Sequence, residues 1–215
     1  MFGIGAAVKT QEDSLPPKLQ ELCESLLAGE KTKSIYNLLD KENMWSGEAI
    51  STLLADLGRK VNKMLILVPP IVARGRTNKT EVEKAYRLNL LAKNVLDAAI
   101  TLPSQLISAQ GNPAIALLFN TQKEFNTVLF INADSQQAGQ KHESLIDVQI
   151  TKIFGAYRRA RTKAQPKSNA SSPVCYADQF DDAKLGVLID NYAYLAGPVE
   201  LARNKCSVDP AVYIK

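Results

Sequence analysis

The sequence predicts a mainly α protein, in which a helical bundle carries a small β element in its middle and extended arms at both termini. Three observations support this fold class. Apolar residues repeat at helical spacing in three long segments, a capping residue precedes each segment, and glycine or proline follows it. Helices with one apolar face bury that face against each other, so three such segments predict a bundle.

The first predicted helix follows Ser14-Leu15-Pro16-Pro17 and ends at Gly29. Serine is a favoured cap, proline suits the first turn, and glycine commonly follows the last turn. The apolar face of this segment consists of Leu15, Leu19, Leu22, Cys23, Leu26 and Leu27. The segment therefore reads as an amphipathic helix.

Two further long helices are predicted before the middle of the chain. One starts at Ser46 and ends at Pro69, and the other starts at the capping box of Thr80 and Glu83 and ends at Pro103. Their inward faces would be formed by Ile50, Leu53, Leu54, Leu57, Val61, Met64 and Leu65, and by Val82, Tyr86, Leu90, Val95, Leu96 and Ile100.

The middle of the chain is less regular. A short apolar helix is predicted from Asn112-Pro113 to Phe119, and the β-formers of Phe125–Asn132 predict a strand. Residues 144–164 fit both strand alternation and helical spacing, and their length favours a helix. A last helix is predicted around 185–195.

The domain organisation predicted from these elements has four parts. Residues 1–13 form an N-terminal arm, and 14–165 form the helical body, with the β element near 125–132. Residues 166–177 form a linker rich in Ser, Asn and Pro, and 178–215 form a C-terminal helix with an extended tail.

Charge is distributed unevenly along the 215 residues, which carry 26 Lys and Arg against 22 Asp and Glu. The windows 57–80 and 151–173 contain no acid. We predict that they bind a polyanion or an acidic partner surface. Nucleic acid, acidic protein and plain solvated surface remain open as alternatives. The residues predicted to make these contacts are Arg59, Lys60, Lys63, Arg74, Arg76, Arg158, Arg159, Arg161, Lys163 and Lys167.

No catalytic, metal or cofactor site is predicted from motifs. His142 is the only histidine and lies in a polar stretch, and the cysteines 23, 175 and 206 lack zinc-ligand spacing. Cys23 belongs to an apolar helix face, whereas a bridge between the other two cysteines stays open. The stretch Arg74–Glu81 lacks the glycine spacing of a phosphate loop, and Gly3-Ile4-Gly5 follows no strand.

These features predict a non-enzymatic structural subunit of a virion-like assembly, of the phage connector, neck or minor capsid type. Its partners would be further copies or other structural subunits, with non-specific nucleic-acid contact. The apolar run Met64–Ala73 is too short to span a membrane, and no signal peptide is evident, so we expect a soluble protein of the virion or host cytoplasm. The alternatives are a sequence-independent nucleic-acid-packaging protein and an enzyme of unfamiliar type.

Overall fold

A β-sheet lies at the centre of the protein. The computed structural model describes residues 15–29, 32–37, 39, 53–55, 57, 59–70, 73, 93–103, 106, 114–123, 126–133, 142–161, 186–205 and 207–214. The strands are β1 (Lys33–Asn37), β2 (Lys63–Val68), β3 (Leu96–Leu102), β4 (Ala114–Asn120), β5 (Val128–Asn132), β6 (Gly186–Asp190) and β7 (Ala193–Ala196). The helices are α1 (Pro17–Leu26), α2 (His142–Arg161) and α3 (Pro198–Arg203), with a short 3-10 helix at Pro210–Val212. The predicted mainly helical bundle is therefore wrong.

The sheet is mixed and has seven strands in the order β1-β2-β4-β3-β5-β7-β6. The pairs β1–β2 and β3–β5 are parallel, whereas β4 is antiparallel to both β2 and β3, and β7 is antiparallel to β5 and β6. The amino ends of β1, β2, β3 and β5 consequently lie at one edge of the sheet, which we call the amino edge. Their carboxyl ends lie at the opposite edge, which we call the carboxyl edge. The amino edge comprises residues 32–33, 59–63, 93–97, 120–123 and 126–128, together with 157–161 at the end of α2.

The central strands are apolar because both faces of the sheet are covered. Every residue of β2 is buried, and β3 and β4 are buried at all but one position each. One face packs against α1 and α2, and the other packs against the C-terminal segment and Leu53. Strands buried on both faces read as continuous apolar runs instead of alternating patterns.

Strands lie within four of the predicted helices. The second and third predicted helices contain β2 and β3, the predicted helix at 113–119 is β4, and the predicted C-terminal helix is the β6–β7 hairpin. A short buried apolar run has the same composition in a strand as in a helix, so periodicity cannot separate the two. Proline ends either element, and Pro69 and Pro103 directly follow β2 and β3.

The first predicted helix and the helical interpretation of residues 144–164 are confirmed. Helix α1 buries Leu19, Leu22, Cys23 and Leu26, and Gly29 beyond its end has a φ of 87°, a left-handed conformation that favours glycine. Helix α2 buries Ile153, Ala156 and Ala160 against the same face of the sheet.

The C-terminal segment packs on its own chain instead of forming the predicted extended tail. The Tyr213 ring stacks on Phe130 of β5, with 3.9 Å between the ring centroids, and Val208 and Ile214 are also buried. Asp209 accepts a hydrogen bond from the backbone N–H of Ala211 at 3.1 Å and so caps the 3-10 helix. These apolar side chains complete the second face of the sheet. The predicted arm at 1–13 and the predicted linker at 166–177 lie outside the described residues.

Candidate functional site

Two sequence windows that are far apart along the chain meet at the amino edge of the sheet. Lys63 at the start of β2 is opposite Asn120 at the end of β4, and the backbone N–H of Thr121 donates to the carbonyl of Asn62 at 3.0 Å. The end of α2 lies over the same strands, because the Nζ atom of Lys63 is 5.2 Å from the centroid of the Tyr157 ring. The amino edge therefore brings together parts of both predicted basic windows, residues 59–63 and 157–161.

Asp97 is the centre of a buried polar network at this edge. Its side chain is only 2% exposed, and its carboxylate lies 3.0 Å from the Nε atom of Arg161. The hydroxyl of Tyr157 donates to the other carboxylate oxygen at 2.7 Å. Arg161 also donates to the carbonyl of Asp97 at 2.6 Å and to the hydroxyl of Thr127 at 3.2 Å. The network ties the last turn of α2 to the amino ends of β3 and β5.

Lys123 lies beside this network and has neutral acceptors. Its Nζ donates to the side-chain oxygen of Asn94 at 2.8 Å and to the carbonyl of Leu96 at 2.7 Å. Burial, reinforced by the positive charge of Arg161 and opposed by Asp97, lowers the pKa of Lys123 to about 7. Asn94 itself has a φ of 49° and donates to Asn126 at 2.7 Å, so the two turns that flank Lys123 are linked.

The other basic residues predicted to make contacts include both exposed and buried side chains. Arg59 and Lys60 are exposed in the turn before β2, whereas Lys63 is only 6% exposed. Arg158 is exposed near the end of α2, with its guanidinium 5.7 Å from the centroid of the Phe154 ring. Arg159 is exposed and forms an ion pair with Asp190 at 2.8 Å. Arg74, Arg76, Lys163 and Lys167 lie outside the described residues.

Sequence reasoning missed Asp97, Lys123 and Tyr157. The sequence does carry a signal for Asp97, since it is a lone acid within the apolar run Val95–Ile100. Carboxylates are almost never fully buried without a partner, so an acid inside a predicted buried segment indicates a buried cation nearby. The identity of that cation, Arg161, depends on the tertiary structure.

The carboxyl edge is built differently. β2 and β3 end in apolar residues followed by proline, and the backbone N–H of Asn132 in β5 donates to the carbonyl of Tyr192 at 2.9 Å. Gln149 of α2 donates to the carbonyl of Ala133 at 3.1 Å, and its buried Oε1 has no hydrogen-bond partner within the described part of the chain. In sheets with parallel strands, ligands bind beyond the carboxyl ends. Most residues that follow these ends in sequence lie outside the described ranges.

The described residues offer neither a reactive thiol nor a metal site. Burial raises the pKa of the Cys23 thiol to about 12, which disfavours the reactive thiolate. No group of three or more His, Cys, Asp or Glu side chains among the described residues could hold a metal ion. None of the helices in the described ranges is long and apolar enough to cross a membrane. Cys175 and Cys206 lie outside the described residues.

The solved structures that are similar to this chain include two from restriction-modification systems. One is the methyltransferase subunit of a type I restriction-modification system from Streptococcus thermophilus, with 20% identity and a TM-score of 0.47. The similarity covers 71% of this chain and 26% of that subunit. The other is the type IIG restriction endonuclease BpuSI, with 14% identity and a TM-score of 0.34, covering 68% of this chain and 13% of the endonuclease. At these values neither similarity bears on function, and the chain spans about a quarter or less of either protein.

No curated protein matches the chain. Residues 68–185 match the family described as N-6 DNA Methylase. This match overturns the predicted non-enzymatic structural subunit of a virion-like assembly, because the family is one of enzymes that modify DNA. Association with other protein subunits and a location in the virion or host cytoplasm stay predictions. The match spans more than half of the 215 residues, and the chain therefore belongs to the N-6 DNA Methylase family.

Proposed function

We propose that this chain forms part of an enzyme that transfers a methyl group to the N6 amine of adenine in DNA. The observation that carries the proposal is the family match over residues 68–185. The matched range begins at the last residue of β2 and includes β3, β4, β5 and α2. It therefore contains the Asp97 network as well as the three central strands of the sheet, β4, β3 and β5.

The position of the adenine N6 amine in duplex DNA determines which contacts such an enzyme needs. Adenine is the base that presents an N6 amine, and in the duplex this amine lies in the major groove and takes part in base pairing. Methyltransferases that act on a base extrude it from the stack into a pocket. The protein must hold the DNA backbone while the base leaves, and contacts to phosphate fix this position without reading sequence.

The methyl group must come from a bound donor. In α/β sheets, nucleotide-containing cofactors are held where a glycine-rich turn joins a strand to a helix. The described glycines, Gly29, Gly155, Gly186 and Gly197, are isolated from one another, and no two of them share a turn. The described residues therefore do not form a donor site of this type, and we assign no step to the donor.

The described residues instead provide a framework for the reaction. α2 is fixed at its carboxyl end by the contacts of Arg161 with Asp97 and Thr127, and in its first half by the hydrogen bond from Gln149 to the carbonyl of Ala133 after β5. α2 is thereby held to the sheet at two points. We place the methylation site at the carboxyl edge, since ligands of sheets with parallel strands bind there.

Deletion of the gene in the source organism tests this proposal with every natural partner present. Genomic DNA is digested to nucleosides, and N6-methyl-2′-deoxyadenosine is quantified by mass spectrometry. We expect a loss of this nucleoside that the wild-type gene restores. A gene carrying the exposed substitution Lys18→Gln should restore it equally well. An unchanged amount and an unchanged set of methylated adenines after deletion would refute the proposal.

A further inference from the structure

We infer that β6 is the strand through which two copies of this chain pair, side by side and antiparallel, to form one continuous sheet. This inference concerns assembly and goes beyond the proposed function. β6 is a terminal strand in the order of the sheet, and among the described residues it pairs with β7 alone. Its outer side therefore presents backbone N–H and C=O groups that no described strand contacts. Such a row of groups is a template for a further strand.

Leu188 gives this outer strand an apolar side chain that the chain itself leaves uncovered. It is 62% exposed, although it lies in the middle of β6. It is opposite Tyr194 in the antiparallel pair with β7, so both side chains point to the same face of the sheet. On that face, the Tyr213 ring stacks on Phe130 of β5 and lies 6.3 Å from the Tyr194 ring, measured between centroids. Leu188 lies one strand further out and stays exposed.

The ring of Tyr194 extends the apolar surface from β7 over β6. A Cβ atom on Gly186 would lie 2.2 Å from the hydroxyl oxygen of Tyr194, so this ring lies across the glycine. Tyr194 is only partly buried, and its ring packs against the core on this face. Tyrosine is enriched at protein interfaces because its ring is apolar and its hydroxyl tolerates water. A strand added beside β6 would contact both Leu188 and this ring.

The partner at this strand is a second copy, because β6 itself meets the requirements of the contact. The partner must be an extended strand with an apolar side chain on one face, and β6 is such a strand. A two-fold axis perpendicular to the sheet brings the two β6 strands together in antiparallel orientation, so one surface supplies both halves of the contact. Pairing of Gly186 with Leu188 places each leucine over the glycine of the other copy, against the Tyr194 ring there.

The usual protections of an outer strand are weak in β6. Native edge strands are often blocked by lysine, proline or a bulge. β6 contains neither lysine nor proline, and the carboxylate of Asp190 is paired with Arg159 at 2.8 Å. The register with β7 shifts between Leu188 and Asp190, and this irregularity limits regular pairing to residues 186–188. Because the paired stretch is short, we expect a weak dimer that forms at high concentration.

The test is sedimentation equilibrium of the full chain over a series of concentrations. We expect the average mass of the wild type to rise from that of one chain toward that of two. Leu188→Lys removes the apolar contact and places two like charges on one face of the short pair. We expect the dissociation constant of the dimer to increase roughly tenfold or more. Circular dichroism should show an unchanged fold, because the side chain is exposed.

The matched control is Val148→Lys, which makes the same kind of change on α2. Val148 is 41% exposed, and α2 covers the other face of the sheet. We expect its dissociation constant to stay within about twofold of the wild type, because surface changes away from a contact have small effects.

Hydrogen exchange locates the contact in the same samples. The backbone amides of residues 186–190 should exchange more slowly as the wild-type concentration rises, and Leu188→Lys should abolish this protection. The inference would be overturned by a wild-type mass that stays that of one chain up to about 0.5 mM. It would equally be overturned by a dimer that Leu188→Lys leaves intact, or by one that gives no protection in β6.

Discussion

At the amino edge of the sheet, charged side chains are buried or partly buried and have fixed partners, whereas at the carboxyl edge β2 and β3 end in apolar residues followed by proline. Asp97, Lys63 and Lys123 all lie within the first group. At the carboxyl edge, the contacts of Asn132 and Ala133 involve neutral backbone and amide groups. The ion pair at the amino edge is therefore buried, whereas the pair of Arg159 with Asp190, at the end of β6 near the carboxyl edge, is partly exposed.

This difference indicates how the fold separates two tasks. A buried charge is tolerated when an opposite charge lies close to it, so Asp97 and Arg161 fix α2 over β3 and β5. Ligands of sheets with parallel strands bind beyond the carboxyl ends of the strands, which is the opposite edge. If the amino edge is fixed by its buried charges, their removal should lower the free energy of unfolding more than the removal of exposed charges.

Removal of the buried carboxylate should have the largest effect. Asp97→Ala leaves Arg161 without its buried counterion and Tyr157 without its acceptor. We expect a loss of about 3–5 kcal/mol in the free energy of unfolding, measured by urea denaturation. Asp190→Ala is the matched control, since its carboxylate is partly exposed. A loss at Asp97 no larger than the control would mean that the network does not fix the edge.

The lowered pKa of Lys123 should make the free energy of unfolding depend on pH. Its pKa is about 7 in the folded chain and 10.5 in the unfolded one, so between these values the unfolded chain binds more protons. Stability contributed by this group should therefore rise from pH 7 toward pH 10.5, by about 2 kcal/mol between pH 7 and 9. Denaturation at both pH values should show that Lys123→Met lacks this rise. An identical rise in the variant would assign it to other groups.

The ion pair between Arg159 and Asp190 should contribute least. Both side chains are about 40% exposed, at 43% and 39%, so water and salt screen their attraction. A double-mutant cycle of Arg159→Ala and Asp190→Ala should give a coupling energy of about 0.2–1 kcal/mol that shrinks as salt increases. A coupling as large as the effect of Asp97→Ala would remove the distinction between the buried network and the surface.

Part of the site could be read from the sequence. The two acid-free windows identified Arg59, Lys60, Lys63, Arg158 and Arg161 as a group of basic residues. Their proximity could not be read, because it arises from the pairing of β2 with β4 and from the course of α2 across the sheet. Asp97 and Lys123 were missed because the role of a single charge in a strand or turn depends on the residues that contact it in the folded chain.

The sequence by itself determined the amphipathic helix α1 and the points where β2 and β3 stop, whereas only the length of residues 144–164 favoured the helix α2 over a strand. A helix with one buried face leaves a periodic stripe, and proline leaves an unambiguous break. Only the tertiary structure decided that the apolar runs around Met64, Ile100 and Leu117 are strands. A segment that is buried on every side has no polar face, so the spacing of its polar residues cannot distinguish a helix from a strand. Its conformation is determined by pairing with the neighbouring strands.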